Sequence, residues 1–154
     1  DSIKVIAEPF ERGHGVTIGN TLRRALLTSI PGAAITSLHI DGVSHEFTNI
    51  KGVKEDISDI ILNLKDVRFK AISDGPELVT INLEGPCDFA GSDIQEHLAE
   101  FEVLNPDSHI ATITEKINFS IDLRISRGKG YTTAENNKRK NSGHLQSCRY
   151  KLNS

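Results

Sequence analysis

Six histidines, two cysteines and scattered carboxylates are the residues of this chain best suited to chemistry, and their spacing decides which chemistry is open to them. His14, His39, His45, His97, His109 and His144 include no pair at H-x-x-x-H or H-E-x-x-H spacing, so no helix offers two imidazoles to one zinc ion. Cys87 and Cys148 stand far apart, outside any metal motif, and read as reduced thiols of a cytosolic protein. His45 and Glu46 lie near Asp41, where a hydrolase site would be sought. Neighbours on a strand point to opposite faces, so these two form no dyad. Glu55 and Asp56 open a predicted helix, where acids complement the helix dipole. Arg12-Gly13-His14-Gly15 has glycines but lacks the lysine–hydroxyl pair of a phosphate-cradling loop. Arg127-Gly128-Lys129-Gly130-Tyr131 is basic, and reads either as a phosphate contact or as a glycine turn ending a strand. No catalytic centre is specified, and no cofactor or metal is implied.

The elements that would position such residues are organised around Glu11–Gly32. A glycine-punctuated loop leads into a helix capped by Thr17 or Asn20, and Pro31-Gly32 ends it. Ile18, Leu22, Leu26 and Ile30 form an apolar stripe, flanked by Ala25, Leu27 and Ser29. Arg23 and Arg24 are adjacent and point about 100° apart, so they serve different surfaces. Either both are solvated on a core helix, or one of them faces a partner.

Ile3–Glu8 alternates as a strand ending at Pro9. Ala34–Ile40 is a second strand, with Thr36, Leu38 and Ile40 on one face and Ile35, Ser37 and His39 on the other. Asp41-Gly42 signals a hairpin returning through Val43–Phe47. Val53–Leu64 reads as a helix, with Val53, Ile57, Ile60, Ile61 and Leu64 apolar and Lys54, Glu55, Ser58, Asp59 and Asn63 polar. Strands follow at Val67–Ser73 and Leu78–Glu84. Residues 85–100 form a loop with a short helical piece near Asp93–Glu100. Strands return at Phe101–Leu104, Ile110–Thr114 and Ile117–Arg127. Without strict βαβ alternation, the fold class is α+β with mainly antiparallel sheets and two principal helices. The expected interior includes Leu22, Leu26, Ile57, Ile61, Ile121 and Leu123.

A length of 154 residues allows one ordinary domain or two small interleaved ones. With 37% hydrophobic residues and neither Trp nor Met, the core must be mostly Ile, Leu and Val. The net charge of −3 divides into about +4 from Glu135 onward and −7 before it, an acidic body unlike a nucleic-acid-binding domain. No run approaches the ~18 apolar residues of a membrane span, and no signal peptide opens the chain. The chain enters at Asp1 in mid-strand and reads as a fragment.

Five ordered motifs carry a family resemblance: EPFERGHGVTIGNTLRRALLTSIPGAAI, IDGVSHEF, GVKEDISDIILNLK, NPDSHIATI and RGKGY. From about Val5 to Lys140 the chain resembles the N-terminal domain of the bacterial RNA polymerase alpha subunit. His14 departs from the phenylalanine usual in the family, at a loop position where little effect is expected. The resemblance implies a scaffold of a nucleotidyltransferase complex, DNA-directed RNA polymerase, with no catalytic residues on this chain. Two alpha subunits dimerise through the helix containing LRR, here Ile18, Leu22, Ala25, Leu26 and Ser29. The dimer recruits the beta and beta-prime subunits, with Arg24, Asp59 and Lys65 matching beta-binding positions. DNA is met only through the assembled complex, in the cytoplasm and away from membranes.

The implied organisation is an insert subdomain, 34–134, within an incomplete dimerisation subdomain, 1–33, followed by a divergent basic tail, 135–154. The segment that precedes Asp1 in the family is expected to be missing, and after Lys140 the chain leaves the family, which continues there with a strand–helix return segment. The chain by itself is therefore expected to form a weak or heterogeneous oligomer. An alternative function is a nucleic-acid-binding module using the basic residues Lys138 to Lys151. A stand-alone hydrolase is a third, without an assembled site.

Overall fold

A computed structural model describes residues 3–43 and 49–132, and the backbone of 150–151. The chain divides into two compact units, residues 1–30 and 31–154.

The first unit is built on α1, His14–Ser29. The helix starts earlier than Thr17 or Asn20 would place it. Its N-cap is Gly13 at φ 93°, a left-handed conformation that a β-carbon disfavours. Thr17 therefore lies inside the helix, where its carbonyl accepts the Thr21 hydroxyl at 2.9 Å. Residues 3–10 are irregular, which corrects the strand expected at Ile3–Glu8. Among the described residues of this unit no second strand is present to pair with it, and an unpaired strand leaves its ladder groups without partners. No residue of α1 is buried, so Leu22 and Leu26, expected in the interior, are instead each 59% exposed. A 3.6-residue apolar period marks a face that can be covered, without saying by what.

In the second unit, every strand pairing among the described residues is antiparallel, in keeping with the α+β reading. The strands are β1 Pro31–Ile40, β2 Phe69–Ala71, β3 Glu77–Glu84, β4 Cys87–Ala90, β5 Phe101–Val103, β6 His109–Ile113, β7 Asn118–Lys129 and β8 Tyr150–Lys151. The main sheet runs β3-β7-β1-β2-β5, with β8 on β1, while β4 and β6 form a separate pair. Helices α2, Ile57–Asp66, and α3, Gly91–Glu96, belong to the same unit. Strand β4 replaces part of the predicted 85–100 loop, and α3 overlaps the helical piece expected at Asp93–Glu100 but begins and stops a few residues earlier. The turn at Asp41-Gly42 is present, with Gly42 at φ 77°. The returning strand Val43–Phe47 lies almost wholly outside the described residues.

One difference has a specific cause. Ile35 shares the inner face with Leu38 and Ile40 rather than opposing them, because β1 carries a bulge. Ile35 pairs with Ile125 and Ser37 with Arg124, leaving Thr36 as the extra residue. Thr36 is buried, and its hydroxyl donates to the Arg124 carbonyl at 3.2 Å. Past the bulge, Leu38 and Ile40 stand opposite Leu123 and Ile121. The core therefore joins Ile35, Leu38 and Ile40 to Val79 and Ile81 of β3 and to Phe119, Ile121, Leu123 and Ile125 of β7. Helix α2 adds Ile57, Ile60 and Leu64, while Ile61, expected in the interior, is only partly buried.

Candidate partner-binding surfaces

The residues with matched roles fall on two helices. Arg24 is exposed on α1. Its carbonyl accepts the Thr28 hydroxyl at 2.8 Å, which leaves the guanidinium outside that bond. Ile18, Leu22, Ala25, Leu26 and Ser29 are all exposed on the same helix, together with Val16 and Leu27, and Ile30 just past its end is exposed too. Asp59 and Lys65 are both exposed on α2. At 100° per residue, Asp59, Asp66, Leu62 and Lys65 occupy one arc of about 120°, opposite Ile57, Ile60 and Leu64. Leu62 in the middle of that arc is 58% exposed.

A set of polar contacts that the sequence reading did not assign holds α2 in place. Before the helix, the Lys54 amide donates to the Thr112 carbonyl at 3.0 Å, and Val53 bridges to Ile113. The Thr114 amide donates to the Gly52 carbonyl at 2.8 Å, and Gly52 sits at φ 87°. Glu55 lies outside the helix, so it does not complement the dipole as expected. Its carboxylate accepts the Thr112 amide at 2.6 Å and meets His109 Nε2 at 3.0 Å. Burial pushes this carboxyl up, but the Thr112 amide and the His109 ring together outweigh burial and hold it below its ordinary value. In mid-helix, Asn63 Nδ2 donates to the Ile110 carbonyl at 2.9 Å. At the far end, Asn105 Nδ2 donates to the Asp66 carbonyl at 2.9 Å and its Oδ1 accepts the Arg68 amide at 2.7 Å. The available signal was Asn105 itself, a residue suited to capping an open backbone, placed just before Pro106.

Elsewhere the groups that attract a search for chemistry are dispersed. His39 Nδ1 lies 3.5 Å from Asp122, which also accepts the Thr80 hydroxyl at 2.6 Å, a cross-strand row on the outer sheet face. His97 Nδ1 meets the Asp93 carbonyl at 2.9 Å. Burial first, then Asp93 and Asp88, push the Cys87 thiol up, which disfavours the reactive thiolate. Cys148, His45, Glu46 and His144 lie outside the described residues. Among the described residues no three of His, Cys, Asp and Glu converge on one point. Arg127, Gly128 and Lys129 continue β7, pairing with Ala33, Gly32 and Pro31, and the turn comes only at Gly130, φ 64°. With Pro31 and Asp74 they line an open cavity of about 370 Å³, where Arg127 is paired with Asp74. No helix among the described residues is long and apolar enough to cross a membrane.

Residues 38–147 match the family model described as the RNA polymerase Rpb3/RpoA insert domain. The chain belongs to that family. Its membership accords with the antiparallel α+β architecture and with the five motifs of the alpha-subunit resemblance. The DNA-directed RNA polymerase subunit alpha of Chloroherpeton thalassium is 56% identical over 135 residues, covering 88% of this chain and 41% of the relative. The same-named subunit of Salinibacter ruber is 55% identical over 131 residues, covering 85% and 40%. That of Prosthecochloris aestuarii is 52% identical over 133 residues, covering 86% and 40%. This insert-domain chain thus spans about two fifths of the length of the curated relatives it matches. Its α2 and the polar contacts from β6 lie within the matched region, and α1 precedes it.

Proposed function

We propose that the chain is the assembly-scaffold part of a DNA-directed RNA polymerase alpha subunit, working in transcription without performing the chemistry. Residues 1–33 belong to a dimerisation subdomain, 34–134 form the insert subdomain and 135–154 a basic tail. A second copy covers Ile18, Leu22, Ala25, Leu26 and Ser29. Arg24, Asp59 and Lys65 bind the beta subunit, and beta-prime joins the assembly afterwards. The observation that carries this reading is the insert-domain match over residues 38–147, with relatives named as alpha subunits at more than half identity. No residue of α1 is buried, and an apolar stripe on one side with Arg24 on another is what a helix that works through partners requires.

The test is binding of the beta subunit. Arg24→Ala is expected to weaken it by about 2–5 kcal/mol, the usual cost of removing one partner of a desolvated charge contact. The unfolding midpoint should not move, because Arg24 is exposed. Capture of beta at wild-type strength by the variant would remove Arg24 from the interface.

A further inference from the structure

We propose that the segment Asn105–Thr114 is a splint that sets the orientation of α2, and that Asn105 is its positioning residue for the partner docked on the Asp59–Leu62–Lys65 face. The inference rests on the assembly reading, which makes that face a beta-binding surface. One stretch of chain touches α2 at its entry, middle and exit. Thr112 and Thr114 pair with the backbone of Gly52 and Lys54, and Thr112 also donates to the Glu55 carboxylate. The Ile110 carbonyl takes Asn63. The Asn105 side chain donates to the last helical residue, Asp66, and accepts from Arg68 beyond it.

The geometry explains why packing alone does not fix this helix. A ten-residue helix is about 15 Å long, and its buried side chains are Ile57, Ile60 and Leu64. Ile57, Ile60 and Leu64, with partly buried Ile61 beside them, make non-directional contacts that resist rotation about the helix axis less than directional hydrogen bonds at both ends do. A small rotation would carry Asp59 and Lys65 around with the helix. Asn105 holds the end nearest Lys65, and its turn is itself fastened, because the Ser92 amide donates to the Pro106 carbonyl and the Ser108 amide to the Asn105 carbonyl.

The experiment measures affinity of the full chain for the beta subunit under conditions where every variant is folded. Asn105→Ala is compared with Val79→Ala, a core change on β3, which bears none of the splint contacts. Asn105→Ala is expected to weaken beta binding about tenfold, while Val79→Ala, although destabilised, stays within about twofold of wild type. Asn105→Asp keeps the acceptor for Arg68 but loses the donor to Asp66, so it should fall between Asn105→Ala and wild type. If Asn105→Ala does not fold, Asn63→Ala tests the middle attachment in the same way. Equal losses in Asn105→Ala and Val79→Ala would overturn the splint while leaving the interface assignment standing. An unchanged affinity in Asp59→Ala combined with Lys65→Ala would overturn the interface assignment and the splint with it.

Discussion

Glu55 shows how much one side chain can tie together. It is 15% exposed, joins the entry of α2 to β6, and its carboxyl is held below its ordinary value. A carboxylate of this kind contributes stability above its unfolded-state pKa, and loses it as pH falls through the lower, folded value. Glu55→Ala leaves the half-buried Thr112 amide without its acceptor, at an expected cost of about 1–3 kcal/mol near neutrality. Denaturant titrations at several pH values should show that difference shrinking as pH falls below the ordinary carboxylate range and the wild-type carboxyl protonates. A difference that stays constant down to pH 2 would mean that the charge contributes nothing. The sequence placed Glu55 at a helix start and missed this role, because its partners are more than fifty positions away. Asn105 carried no assigned role for the same reason: its two backbone partners, at Asp66 and Arg68, lie more than thirty-five positions earlier.

At the scale of elements, local pattern and long-range pairing divide the outcome. Strand β7 was readable almost to its ends, because Phe119, Ile121, Leu123 and Ile125 alternate without interruption and all are buried. Helix α2 was readable from Ile57 onward, its apolar residues recurring at helical spacing. The phase change in β1 was not, since nothing in the run Ala34–Ile40 marks Thr36 as the residue to be left unpaired. Helix α1 was found, but Leu22 and Leu26, expected in the interior, are exposed on it. The two helices therefore respond differently to truncation. Ile60→Ala, at a fully buried position, should lower unfolding free energy by about 2–5 kcal/mol. Leu26→Ala, at an exposed one, should change it by no more than about 0.5 kcal/mol, yet reduce self-association measured by sedimentation. A large unfolding penalty for Leu26→Ala would place that side chain in an interior after all.

For the whole molecule, the contrast lies between a ladder held on both sides and a helix that buries nothing. β7 is paired by β3 along one edge and by β1 along the other. Its amides at Ile121, Leu123 and Ile125 are expected to be among the slowest to exchange with deuterium, opening only with global unfolding. α1 has 16 residues and no buried side chain, and most helical stability in proteins comes from tertiary packing of an apolar face. Its amides should exchange orders of magnitude faster, and slow down when a partner covers the stripe. Equal protection in α1 and β7 in the free chain would contradict this division. The β1–β7 pairing also has a consequence in time. Pro31 meets Lys129, and Ile40 meets Ile121, so the ladder closes across most of the chain. On a ribosome adding about 5–20 residues each second, β1 emerges several seconds before its neighbour exists. Throughout that interval Ile35, Leu38 and Ile40 are expected to stay uncovered, an apolar surface that favours aggregation until β7 is synthesised.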